Sequence, residues 1–281
     1  MDAGDQSAAV AAQPGRLLRV ARQAGRRTNF YGFATIAALV LLWQVVIDTG
    51  VVDVEFMATP TEIAGAIGDL AASGELATNV VHTLSAVLIG WAIAVVAGVA
   101  IGTLVGLSAT ARDYSMATID LLRALPTIAL VPPAVLAFGF ALKMEVAVIV
   151  CAAVWPVVIN TAGGITQVPR ELRDVARTFQ LSPLRTAFGV VLPAALPTVI
   201  VGMRLAMSLA LILAVVAEMI GNPAGLGYAM VFAQQAINPP EMFAYVVVIG
   251  LLGVLLNLAL GAASRLLPPV AAAALAERER R

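Results

Sequence analysis

From His82 to Leu107 the chain runs without a single Asp, Glu, Lys or Arg. As an α-helix this run of about 26 residues is ~39 Å long, more than the ~30 Å hydrocarbon layer of a bilayer. Inside lipid every backbone N–H and C=O must find a partner within the segment, which restricts such a run to helix. Five further apolar windows stand at residues 31–47, 121–140, 146–162, 197–217 and 243–262. Only 12% of the residues are charged and 60% are hydrophobic, whereas a soluble domain carries about 25% charged residues. The expected fold is therefore an all-α membrane protein with six transmembrane helices. A segment 1–30 precedes the membrane domain at 31–265, and a tail 266–281 follows it.

Charge placement sets the expected orientation. With the N-terminus inside, the inner segments hold every one of the 17 Lys and Arg residues except Lys143. The first outer loop carries Asp48, Asp53, Glu55, Glu62, Asp69 and Glu75 and no basic residue. Both ends of the chain are thus expected in the cytoplasm. The arginines before residue 31 and the apolar run after them imitate a secretory leader. No small-x-small cleavage site follows before Trp43, Gln44 and Asp48, so this run is read as a retained span. A net charge of +0, with no gathered basic face, gives no support for nucleic acid as a partner.

Within the spans, Gly90, Ala94, Gly98, Gly102 and Gly106 recur every four residues along one helix face. Small residues at that spacing let helix backbones approach closely in lipid, although an Ala- and Gly-rich composition also yields such spacing by chance. Pro126, Pro132 and Pro133 punctuate the third window and Pro156 the fourth, and the Pro132–Pro133 pair is the expected place for a break. An internal proline removes a helix hydrogen bond, which is tolerable at membrane depth only against protein or a water-lined cavity. Either span three is broken and faces a translocation path, or it is a kinked structural helix. Polar candidates are few: His82 near Asn79 and Thr83, read as an interfacial packing residue, then Asn160, Asn257, Arg204 and Glu218. Arg204 either snorkels to the inner surface or pairs inside the bundle. Pro132, Pro133, Asn160, Arg204 and Glu218 are the candidates for pathway or gating roles. The loop "EMIGNPAGLGYAM" from Glu218 reads as a tight, mobile turn on the outer face.

Between windows four and five, "ELRDVARTFQLSPLRTAFGVVLPAALP" (residues 171–197) crowds charges into an otherwise apolar chain. Leu172, Val175, Ala176 and Phe179 fall at i, i+3, i+4 and i+7, the stripe of an amphipathic helix. Ser182 is a plausible cap and Pro183 a first-turn proline for a second short helix. Two helices joined by a tight turn are expected on the cytoplasmic side, suited to a headgroup plane or to a groove on another protein.

This segment resembles the cytoplasmic "EAA" loop of binding-protein-dependent ABC importer permeases. Asp174, Val175 and Ala176 stand at the Glu-Ala-Ala positions, Gln180 at the glycine, and Val190, Val191, Leu192 and Pro193 at the closing hydrophobic-x-Leu-Pro. The run "GMRLAMSLALILAVVAEMIGNPAGLGYAM" is similar to the fifth span and following loop of the nitrate/sulfonate/taurine branch, and the resemblance extends over about residues 80–281. Gln180 in place of glycine forfeits easy access to positive φ, so either the turn is made differently or the coupling geometry is altered.

The resemblance implies a homodimeric permease in the bacterial inner membrane, served by two cytoplasmic ATP-binding subunits and an extracytoplasmic substrate-binding protein. Leu172, Asp174, Val175, Ala176, Phe179, Gln180 and Leu181 would then meet the ATPase. An alkanesulfonate or taurine-like anion is the leading substrate class. The sequence has no Gly-x4-Gly-Lys-Ser/Thr pattern, and its only lysine is Lys143. One histidine and one cysteine, His82 and Cys151, lie in different spans, which leaves no expected catalytic group or metal cluster; Cys151 reads as a small buried hydrophobe. No cofactor is expected on this chain, with ATP and magnesium belonging to the partner ATPase. A secondary transporter without an ATPase, or a membrane scaffold, are the rival readings. The first would need coupling residues near mid-membrane, and a repeat that these spans lack.

Overall fold

A computed structural model of the chain describes residues 31–32, 34–50 and 56–265, which are helical almost throughout and contain no strand. The expected segments 1–30 and 266–281 lie outside the described residues. Two units are distinguishable, one ending at Gly65 and a main one from Ala66 onward. The first contains the apolar helix α1 (Ala34–Asp48), which covers most of the span expected at 31–47. In the same unit Thr59 and Glu62 form a capping box at the start of α2 (Pro60–Ser73). Thr59 N–H donates to Glu62 Oε2 at 2.8 Å and Glu62 N–H to Thr59 Oγ1 at 3.3 Å.

In the main unit four helices are long and apolar enough to cross a membrane: α3 (Glu75–Leu107), α6 (Leu142–Thr166), α8 (Pro183–Gly221) and the final helix, whose apolar part is Pro239–Ser264. Between α3 and α6, helix α4 (Ala109–Arg123) and the stretch Thr127–Phe138 form a pair bent by 77°, a fifth candidate crossing in two pieces. The second piece is a short 3₁₀ turn, Thr127–Leu130, followed by α5 (Val131–Phe138). The break falls at residues 124–126 rather than at Pro132–Pro133. Those two prolines occupy the first turn of α5, where a missing N–H costs nothing. Pro126 is extended, with φ −68° and ψ 98°, and disfavours helical geometry at the residue before it.

The small-residue face of α3 determines how the core is assembled. A Cβ placed on Gly90 would lie 2.6 Å from Ile149 Cγ2, on Gly98 2.6 Å from Val157 Cβ, on Gly102 2.6 Å from Thr161 Cβ, and on Gly106 2.9 Å from Ile165 Cβ. The partner numbers rise together, so α3 and α6 run parallel with their backbones in near contact. Two parallel helices require the chain between them to return to the starting end, and the bent pair does this. On α6, Gly164 meets Ala195 and Thr198 of α8, while Gly202 of α8 meets Pro156 and Asn160, so α6 and α8 are antiparallel. Val87, Ala94, Ile149, Ala153, Val157, Ala206, Ala210 and Ala214 fill the common core. Trp91 Nε1 donates across it to Met203 O at 3.0 Å.

Two internal prolines, Pro156 of α6 and Pro197 of α8, are absorbed without a break. Asn160 Nδ2 donates to Pro156 O at 2.8 Å. Near its start α8 widens into a π-helical turn at Ala187–Val191, just before Pro193. The amphipathic α7 (Arg170–Thr178) lies between α6 and α8, and α9 (Leu226–Gln235) and α10 (Pro239–Arg265) complete the unit.

Candidate functional site

Three places in the main unit carry polar or unpartnered chemistry. The first is α7 and its exit. Ala176 is 1% exposed and seats the helix, whereas Leu172, Val175 and Phe179 are exposed, Phe179 to 73%. The apolar stripe is thus split, one member turned to the chain and three to the outside. Arg173 Nη2 donates to Ile165 O at 2.6 Å, tying α7 to the last turn of α6. Asp174 and Arg177 make an exposed pair at 3.3 Å, worth only ~0–1 kcal/mol.

The turn after α7 answers the question raised by the missing glycine. Gln180 has φ +52°. Leu181 N–H donates to Ala176 O at 3.0 Å and Gln180 N–H to Arg177 O at 2.9 Å. This is the Schellman pattern, built with glutamine in the left-handed position. The turn keeps the geometry that glycine would give and holds a side chain in a region costing about 1–2 kcal/mol. Ser182 Oγ then accepts from Arg185 N–H at 3.4 Å and caps the next helix.

The second place is an open cavity of ≈ 550 Å³ between the broken crossing, α6 and α8. Trp155, Ile159, Leu205 and Leu209 line it, with Asn160 as a neutral polar wall residue and Arg123 as the one charged residue among the described lining.

The third place is at the far end of the bundle from α7. Glu145 opens α6, Glu218 closes α8 and His82 lies near the start of α3; the carboxylates are 0% and 1% exposed. His82 Nε2 is 3.0 Å from Glu145 Oε1. Asn222 Nδ2 contacts the same Glu145 oxygen and lies 3.1 Å from His82 Nε2. Gly227 N–H donates to Glu218 Oε2 at 2.8 Å, and Leu226 N–H to Thr83 Oγ1 at 2.9 Å. Gly225, at φ +95°, brings the loop down so tightly that a Cβ there would lie 2.3 Å from the Glu218 carboxyl carbon. The loop is tight, as expected, and forms a packed cover with Leu226 and Gly227 buried.

Residues 64–270 match the family described as Binding-protein-dependent transport system inner membrane component. The chain belongs to this family. It is 32% identical over 222 residues to the aliphatic sulfonates transport permease protein SsuC of Bacillus subtilis (strain 168), covering 79% of this chain and 80% of that one. It is 33% identical over 191 residues to the nitrate import permease protein NrtB of Leptolyngbya laminosa, 68% of each chain. Among solved structures, an inward-facing form of the MetNI methionine ABC transporter shares the fold, with TM-score 0.59 and 18% identity over 66% of this chain and 92% of that chain. The protein is accordingly a multi-pass inner-membrane permease of the ABC importer type.

In this permease the residues singled out from the sequence do not converge on one site. Asn160 lines the cavity, whereas Pro132 and Pro133 sit exposed at the first turn of α5. Arg204 turns away from the cavity and Nη2 donates to Ser264 Oγ of α10 at 3.2 Å, which is pairing between helices. Glu218 belongs to the far-end cluster. Cys151, expected to be buried, is exposed on the isolated chain. It sits on the face of α6 away from the glycine seam, beside the buried Ala152 and Ala153.

Glu145 was missed. The usable signal was a lone acid in the first turn of an apolar span, where it needs a partner that sequence distance hides. His82 is 63 residues away. The expectation of no metal-ligand cluster likewise weighed one histidine against one cysteine and did not consider Glu145 or Glu218.

Proposed function

We propose that the permease carries a small anion, an alkanesulfonate or related species, across the inner membrane as one half of a dimer. Two cytoplasmic ATPases drive it, and an extracytoplasmic binding protein delivers the substrate. The observation that carries this reading is the exposed apolar face of α7 formed by Leu172, Val175 and Phe179, on a helix fastened to α6 by Arg173. An amphipathic helix of this kind fits a groove on a partner: apolar anchors grip and the flanking charges orient. ATP and magnesium act in the partner, and closure of the two ATPases pushes on α7. Six spans, with α1 completing the count and both termini cytoplasmic, agree with the positive-inside distribution.

The anion class is supported by the relatives, an aliphatic sulfonates permease and a nitrate permease. It is also supported by the cavity, whose described wall is apolar apart from Asn160, Thr127 and the single cation Arg123. Such a wall offers passage with little binding and leaves selectivity to the binding protein. The test is uptake by proteoliposomes containing the permease, its ATPase and its binding protein, screened over alkanesulfonates, taurine and nitrate. Phe179→Ala and Leu172→Ala should abolish substrate-stimulated ATP hydrolysis and uptake while membrane insertion persists. Normal stimulation and uptake in both variants would remove the assignment of α7.

A further inference from the structure

We propose that His82, Glu145 and Glu218 form a binding site for a first-row divalent cation, of the zinc or manganese type, at the end of the bundle opposite the coupling helix. The three come from α3, α6 and α8, and one ligand atom of each lies within 4.8 Å of the others. Both carboxylates are buried, and each keeps one buried oxygen, Glu145 Oε2 and Glu218 Oε1, with no hydrogen-bond partner among the described residues. Native interiors rarely leave such atoms unpaired, so an orphaned oxygen on each of two neighbouring carboxylates points to a missing ligand.

The electrostatics favour a cation. No Lys or Arg pairs with either carboxylate among the described residues, and Lys143, two residues before Glu145 and so on nearly the opposite helix face, is exposed. The contacts are neutral: Gly227 N–H and the Thr83 hydroxyl at Glu218, and Asn222 Nδ2 at Glu145. A divalent ion held by both carboxylates would supply the positive charge that the cluster lacks. Buried charge is tolerated when it is paired or bound to metal. One imidazole nitrogen and carboxylate oxygens make a mixed set that suits zinc or manganese better than the all-oxygen shells of calcium and magnesium. Ligand atoms about 2.0–2.2 Å from a tetrahedral ion stand roughly 3.3–3.6 Å apart, so a small contraction of the cluster would complete the site. Rotating the Asn222 amide by half a turn would present its oxygen as a fourth ligand, since O and N of an amide exchange places by that rotation.

The ion would join the near ends of three helices and the Gly225–Gly227 cover in one coordination shell. Binding of such an ion is independent of the identity of the transported substrate.

The experiment uses the untagged full-length permease in detergent. It is stripped with a chelator, exchanged into metal-free buffer and titrated with Zn²⁺ and with Mn²⁺ by calorimetry, with elemental analysis of the purified protein alongside. The expected result is one ion per chain and a rise in thermal midpoint on binding. Glu145→Gln, Glu218→Gln and His82→Ala should each weaken binding by at least about a hundredfold, because even outer-shell partners of a metal are worth about 10–100-fold. Glu75→Gln and Glu241→Gln, which alter acids outside the cluster, should bind as the parent does. Absence of stoichiometric uptake by the parent chain overturns the proposal, and that measurement stands whether or not a cluster variant folds. Undiminished uptake by well-folded cluster variants overturns it equally, by showing that the ion binds elsewhere.

Discussion

Replacing Gly102 with alanine adds one methyl group to α3 and should loosen the whole seam. The new Cβ would lie 2.6 Å from Thr161 Cβ and 2.7 Å from Val158 O, against 3.4 Å or more for ordinary contact. The overlap is therefore about 0.7–0.8 Å, and neither neighbour can swing aside, one being backbone and the other a β-branched carbon. The helices must part by a comparable amount, and a gap of 0.5–1 Å forfeits about a quarter to a half of each dispersion contact along the seam. Overpacking of this sort costs about 1–3 kcal/mol, and alanine returns up to ~1 kcal/mol of helix propensity. A net loss of about 1–2 kcal/mol follows, or roughly 2–8 °C in thermal midpoint for a chain of this size. Thermal unfolding in detergent, followed by tryptophan fluorescence, reads this directly, since Trp91 and Trp155 lie on α3 and α6. Gly68→Ala and Gly250→Ala make the same chemical change on helices where nothing lies within 4 Å of the added carbon. Those two should match or exceed the parent. If Gly102→Ala tracks the two controls, the close-contact seam between α3 and α6 is wrong.

Two further changes probe the turns. Gln180→Gly removes a side chain from φ +52° and should stabilise the permease by about 0.5–1 kcal/mol, whereas Gln180→Val should destabilise it, both read from the thermal midpoint. Thr83→Val leaves Leu226 N–H without its acceptor at 2.9 Å. Stranding that buried donor should cost about 1–3 kcal/mol, with faster proteolytic cleavage of the 222–227 loop as the local readout.

The bilayer-length runs were legible because hydrophobicity over some twenty residues is a one-dimensional property. The four-residue glycine spacing on α3 was equally visible, while its partner was not, because nothing in α6 advertises that it supplies the ridge. The break in the third crossing was placed at the wrong proline. Pro132 and Pro133 are the denser signal, yet they sit where a helix begins; the single Pro126 has no such excuse and bends the chain. The window at 121–140 also missed most of α4, whose Arg112, Asp113, Asp120 and Arg123 hide its helical pattern from a hydropathy reading. The far-end cluster was illegible for a different reason. Glu218 looks isolated in sequence, and only the parallel course of α3 and α6 with the antiparallel return of α8 delivers His82 and Glu145 to it.

The seam also makes the two helices unequal before drift. On α3, positions 90, 98, 102 and 106 have no room to grow, because each already touches the neighbouring backbone or branched carbon. On α6 the facing residues, Ile149, Val157, Thr161 and Ile165, can shrink at the cost of a void or exchange one shape for another. Substitutions that persist along this contact should therefore accumulate on one side only, with α3 acting as the fixed template and α6 as the casting that adjusts to it.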